Sequence, residues 1–240
     1  MSDIHANGDA LDAVAREIER LRPDRVVHLG DLVGYNAEPE RCVAWAAENA
    51  VDGVMGNHDA VACGRSGGEG FNPPALEAAR WSAARISPGS AAFLSRLPDR
   101  LAIADDVLLV HGAPSDPDRY LFRLADADEE MAAFPGETAP RIVLFGHTHV
   151  PAAFVRTRAG AVASAPLEGF RLARGDRAML NPGSVGQPRD RDPRASFLIL
   201  DTDAGEASWI RVPYDVKACQ AKVIAAGLPR FFAARLSDGT

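Results

Sequence analysis

The chain has few of the features that mark secreted, membrane-bound or nucleic-acid-binding proteins. Three cysteines in 240 residues, Cys42, Cys63 and Cys219, show neither CxxC spacing nor close pairing. That argues against a disulfide framework and reads as incidental or buried thiols in a reducing compartment. Apolar runs are short, Val107 to Val110 being among the longest, and such runs cannot span a bilayer. Positive charge is also in deficit, with 26 Lys and Arg against 33 Asp and Glu and a formal net charge of −7. The basic residues are scattered among acids, which disfavours a large nucleic-acid surface. Internal repeats, low-complexity tracts and linkers are lacking as well. A motif opens at residue 3, leaving no space for the basic and apolar regions of a secretory leader. The expectation is one soluble, cytoplasmic domain spanning residues 1–240.

What is present is ordinary for a globular enzyme: 47% hydrophobic and 25% charged residues, and enough length for a full core. Leu11, Val14, Ala15, Ile18 and Leu21 recur at helical spacing until Pro23 stops them. Val26 to Leu29 reads as a short buried strand ending at Gly30-Asp31. A helix follows Pro39, and Val51 to Met55 is another short run, ending in Gly56. Gly64 to Pro74 reads as a loop, with a helix over Leu76, Ala79, Ala83 and Ile86. Arg100 to Ile103 and Val107 to Val110, separated by Ala104-Asp105-Asp106, predict a hairpin, and Arg141 to Phe145 one more strand. Short strands follow from Ala152 to Arg211, and two short helices after Tyr214. The alternation predicts an α/β fold with a parallel sheet.

The predicted strands end in polar clusters: Gly30-Asp31, Gly56-Asn57-His58-Asp59, His111-Gly112 and Gly146-His147-Thr148-His149. Ligands in open α/β sheets bind beyond the carboxyl ends of the strands, so these clusters should converge. Five of the six histidines, His5, His58, His111, His147 and His149, lie in such positions; His28 alone lies inside a strand and reads as structural. Imidazole, carboxylate and amide donors without thiolate suit two divalent ions drawn from Mn, Fe, Zn, Ni or Co. One carboxylate can bridge two cations, and Asp31 is the best placed to do so. A pair of ions roughly 3.5–4 Å apart is the common arrangement for in-line phosphoryl displacement.

In Asp3-Ile4-His5, Gly30-Asp31-Leu32-Val33-Gly34, Gly56-Asn57-His58-Asp59, Val110-His111-Gly112 and Gly146-His147-Thr148-His149, the sequence resembles the calcineurin-like metallophosphoesterases, particularly the small bacterial and archaeal phosphodiesterases. The likeness continues through Asn181 to Arg189. The resemblance implies a four-layer αββα sandwich, with one ion on Asp3, His5, Asp31 and His149 and a second on Asp31, Asn57, His111 and His147. It implies hydrolysis of a small phosphodiester or phosphomonoester by a metal-bridging hydroxide. His58 then protonates the leaving oxygen, Asp59 orients its imidazole, and Asn57, His58 and Arg189 contact the substrate. For Asp59 a plain helix cap is the competing reading, and for Arg189 a solvated surface charge.

Two departures from the family pattern carry expectations. Gly34 stands where many members have Asp, which removes one carboxylate contact. Only Met1-Ser2 precede Asp3, where members have an apolar strand. A missing central strand should leave a groove in the core and loosen Asp3 and His5, unless the chain starts late or another segment fills the gap. The substrate stays open among a small diester, a nucleotide, a dinucleoside polyphosphate and a phosphoprotein. A different class of function is a scaffold or binding module, like the retromer subunit that keeps this fold, and a third is metal storage or sensing. Oligomeric state is not legible.

Overall fold

A computed structural model describes residues 1–104, 106–134 and 139–240. Its helices are α1 (Gly8–Leu21), α2 (Pro39–Glu48), α3 (Asn57–Ala62), α4 (Pro73–Ala83), α5 (Pro88–Ser95), α6 (Leu124–Ala132), α7 (Val216–Ala225) and α8 (Arg230–Asp238). The strands are β1 (Val27–His28), β2 (Asp52–Gly53), β3 (Arg100–Ala104), β4 (Val107–Val110), β5 (Ile142–Leu144), β6 (Ala152–Arg156), β7 (Val162–Ser164), β8 (Phe170–Arg171), β9 (Arg177–Asn181), β10 (Ala195–Asp201) and β11 (Glu206–Val212).

Most elements form where the pattern predicts them. Asn7 caps α1 by accepting from the Ala10 N–H at 3.1 Å, and Arg22 closes it in the left-handed conformation. The Pro-Pro pair that reads as a loop end instead opens α4, since proline fits the first turn and Asn72 caps it. The hairpin forms, with β3 antiparallel to β4; Asp105 at its turn lies outside the described residues. Helices α5 and α6 are additions to the predicted set.

One sheet has the order β3-β4-β5-β9-β6-β7, with the β4-β5 and β5-β9 pairs parallel. Facing it lie the parallel pair β1-β2 and the antiparallel group β10-β11-β8. Side chains alternate across the six-stranded sheet, as the strand period demands. Val107, Leu109, Ile142, Leu144, Ala178 and Leu180 turn inward against Leu198, Leu200 and Trp209 of the opposing strands. Their neighbours Val110, Val143, Phe145 and Met179 turn outward to meet Ala127 and Met131 of α6. On the far side, Leu11 and Val14 of α1 and Val43 and Ala46 of α2 cover Ala195 and Phe197 of β10. The result is the expected αββα order of layers. Among the described residues no helix is long and apolar enough to cross a membrane.

The start of the chain behaves differently from expectation in one respect. The groove is there, a cavity of about 500 Å³ lined by Met1, Ile18, Val27, Leu29, Phe197 and Ile199 among others. Asp3 is nevertheless firmly held, because residues 1–3 lie between two backbone segments. The Leu29 N–H donates to Met1 C=O (3.0 Å) and the Asp3 N–H to Gly30 C=O (3.1 Å). On the other side, the Val185 N–H donates to Ser2 C=O (3.0 Å) and the Gly186 N–H to Asp3 C=O (2.9 Å). The short segment thus completes the ladder at its carboxyl end, where the ligands begin.

Candidate metal centre

Five of the seven sequence-predicted ligands sit on backbone that L-residues rarely adopt: Asp3 (φ 53°), His5 (47°), Asp31 (55°), His147 (66°) and His149 (61°). Such residues persist only where surrounding structure holds them. Here the holding groups are identifiable. The His5 N–H donates to Asp31 C=O (2.9 Å), Asn36 Nδ2 to His5 C=O (2.8 Å), Ser184 Oγ to Asp3 C=O (2.8 Å) and Asn181 Nδ2 to Gly146 C=O (2.9 Å). Asn36, Asn181 and Ser184 are therefore supports, the last two within the segment that the family resemblance singled out.

The histidine rings are fixed by their remote nitrogens. Nδ1 lies 2.8 Å from Val33 C=O in His5, 2.6 Å from Leu29 C=O in His111 and 2.7 Å from Gln187 C=O in His149. A carbonyl only accepts, so each Nδ1 carries a proton and each Nε2 points inward, as a lone pair in the neutral rings of His5 and His149. His147 is reversed: its Nε2 lies 3.2 Å from Asp118 C=O, and Nδ1 is the inward atom.

These inward atoms gather into two groups. Asp3, His5, Asp31 and His149 offer ligand atoms all within 4.8 Å of one another, and Asp31, His111 and His147 do likewise. Asp31 belongs to both; its Oδ2 is 3.4 Å from His5 Nε2 and 3.4 Å from His111 Nε2. Asn57 joins the second group, with Oδ1 3.1 Å from His111 Nε2. The donor set fits divalent cations on the structure's own terms. His5 Nε2 and His149 Nε2 face each other at 3.0 Å with no proton between two outward-bonded neutral rings, and buried Asp3 Oδ1 has no hydrogen-bond partner. A cation satisfies all three atoms.

Electrostatics divide these groups in the metal-free protein. Burial holds His5 and His149 well below the ordinary imidazole value and lowers His147 to about 3, so all three rings are neutral and able to act as ligands. Asp3 is pushed up to about 7 by burial. Burial alone would lower His111 too, but the adjacent Asp31 carboxylate overcomes it and raises the ring to about 10. Asp31 stays well below the carboxylate range: burial opposes its charge, and His111, His58 and His5 outweigh that opposition.

His58 follows the second ligand cluster at the start of α3. Its N–H donates to Asp31 Oδ1 at 2.9 Å, an anion at a helix start. Gly56 permits that approach, because an added Cβ there would lie 2.1 Å from Asp31 Oδ1. The imidazole packs 4.6 Å from the Tyr35 ring and 4.9 Å from that of Phe71. Burial lowers it to about 4. Its Nδ1 is buried without a partner, consistent with the carboxylate missing at position 34, and Nε2 is left to face the cavity.

Gly34 makes room for this ring. Its φ is +95°, and a Cβ would fall 2.3 Å from His58 Nδ1. Gly34→Ala is expected to lower stability by about 1–3 kcal/mol through backbone strain and to displace His58. Denaturant unfolding and turnover should both register it, and a variant unchanged in both would contradict this placement.

The predicted role of Asp59 is corrected by the structure. Its Oδ2 accepts from the Gly56 N–H at 3.2 Å, and its Oδ1 from the Leu32 and Val33 N–H groups at 2.9 and 3.3 Å. It caps α3 and ties it to the Asp31 loop, and it does not reach the His58 ring. Arg189 lines the cavity, donating from Nη2 to Gln187 Oε1 at 3.0 Å while its buried Nε has no partner. The cavity, about 230 Å³, is also lined by Tyr35, Asn57, His58, Phe71 and Tyr120. The loop from Cys63 to Asn72, which the sequence offers as a substrate rim, supplies Phe71, whereas sequence reasoning passed over Asp118 and Tyr120, which lie in a loop with no motif around them.

Two groups of potential cation ligands thus gather at the carboxyl ends of strands in an αββα sandwich. The family model of the calcineurin-like phosphoesterase superfamily domain matches residues 1–205, and the chain belongs to that superfamily, which implies a phosphoester hydrolase. An uncharacterised protein of Methanocaldococcus jannaschii is 32% identical over 245 residues, an alignment covering all of this chain and 96% of that protein. The crystal structure of a metallophosphoesterase from Sphaerobacter thermophilus is 35% identical with a TM-score of 0.85, covering all of this chain and 97% of the other. A hypothetical protein from Pyrococcus horikoshii shares the fold at 18% identity and a TM-score of 0.81, with the same coverage.

Proposed function

We propose that the chain hydrolyses small phosphodiesters or phosphomonoesters with two divalent ions, one on Asp3, His5, Asp31 and His149 and the other on Asp31, Asn57, His111 and His147. The single observation that carries this reading is the position of Asp31 between two groups of potential ligands whose ring nitrogens converge on it. When bound, such ions supply an activated water and neutralise charge on phosphoryl oxygens.

The chain's own residues do the rest. Arg189 and Asn57 line one cavity with His58 and orient the anion there. His58 donates its Nε2 proton first as a hydrogen bond to the ester. The bound anion raises the imidazole pKa, as Asp31 raises that of His111, so the ring takes up a second proton and, as imidazolium, passes the Nε2 proton to the departing oxygen and returns to the neutral ring. Tyr35 and Phe71 pack the ring in place and keep water from its edges.

The test uses metal-stripped protein reloaded with Mn, Ni, Zn or Mg, assayed on bis(p-nitrophenyl) phosphate and p-nitrophenyl phosphate. Metal-dependent turnover is expected, and the ratio of the two rates assigns diester or monoester preference. Two bound ions with no turnover of either ester would sink the enzymatic reading in favour of a scaffold.

A further inference from the structure

We propose, building on the hydrolase reading, that Tyr120 and Phe122 set specificity by stacking on a flat ring in the organic part of the substrate. Large aromatic side chains are normally buried, yet Tyr120, which lines the cavity of potential metal ligands, is 46% exposed, and Phe122, just beyond it, 58%. Their rings are nearly parallel, 5° apart with centroids at 5.6 Å. Tyr120 also stacks on His147, with centroids at 4.0 Å, which fixes the pair directly over the second ligand group.

The segment bearing them is built to stay in place. Leu121, between the two rings, is fully buried, so the extended chain puts one side chain in and its neighbours out. Arg119 bonds Glu129 and Glu130 of α6 at 2.6 and 2.7 Å, and Arg123 bonds Asp126 at 2.8 Å. Such fixed rings form a stacking platform that needs no ordering when a ligand arrives.

Cavity size says where the ring must go. About 230 Å³ is below the usual range for a whole small-molecule site, so it takes the phosphate and its nearest atoms. The remainder of the ester crosses the rim, and the exposed rings stand there. Phe71, another lining residue, is engaged with His58 at an interplanar angle of 65°.

The test compares binding of adenosine 5′-monophosphate and ribose 5-phosphate to the metal-loaded protein by titration calorimetry, since both carry the same phosphate on the same primary alcohol. The nucleotide should bind about tenfold tighter. That ratio should fall toward one in Phe122→Ala, persist in Phe122→Trp, and vanish in Tyr120→Ala/Phe122→Ala with metal content monitored. Equal affinity in the wild type, or a preference that survives the double variant, would overturn the proposal. A preference abolished by the variants, in a protein that turns over no chromogenic ester, would sustain the stacking site and defeat only the hydrolase reading.

Discussion

Replacing His58 by alanine is expected to lower kcat/KM by about 10²–10⁴-fold while metal content stays at the wild-type level. The expectation rests on which of its groups touches what. The contact with Asp31 is made by the His58 backbone N–H, which alanine retains, so the Asp31 carboxylate keeps its partner. The ring's Nδ1 bonds nothing, so truncation strands no polar neighbour. What is lost is packing against Tyr35 and Phe71 and the nitrogen that faces the cavity. Elemental analysis beside steady-state kinetics checks this. Turnover within threefold of wild type would remove His58 from the mechanism, and a fall in bound metal would make it a support for the ligands.

Asp31→Ala should have the larger structural consequence: both ions are lost or severely weakened, and turnover goes with them. Loss of an outer partner of a metal ligand typically costs 10–100-fold, and a ligand shared by two ions costs more. Asp31 Oδ2 stands equally near His5 and His111, while Oδ1 accepts from α3. Its removal also takes away the charge that keeps His111 protonated in the metal-free protein. Asp3→Asn should weaken chiefly one ion, because Asp3 Oδ1 reaches His149 and His5 only. Equal loss of metal in the two variants would refute the bridging role.

Much of this centre is legible in the sequence because its ligands cluster at strand ends, where the chain direction alone brings them together. His58-Asp59 shows where such reasoning fails. Adjacent residues suggest a pair, but neighbours on a helix point in different directions, and Asp59 turns to backbone N–H groups instead. Helix α6 escapes the periodicity because its buried face includes the acids Asp126 and Glu130. Glu130 is tolerated there by Ser115 and Arg119, partners that lie 15 and 11 residues away. The firm seating of Asp3 is equally hidden, since it depends on residues 184–186, known only once the chain has folded back.

That last dependence reaches into how the molecule comes into being. His5 meets His149 across 144 residues, and Asn7 Nδ2 meets Gly186 C=O across 179. Strand β9, which separates β5 from β6 in the sheet, follows both in the sequence. A growing chain emerging from the ribosome thus carries every ligand before it possesses the geometry to use them. Contacts of such separation form slowly, after loop-closure entropy has been overcome. The donor atoms of the centre accordingly converge only once residues far apart in the sequence have met.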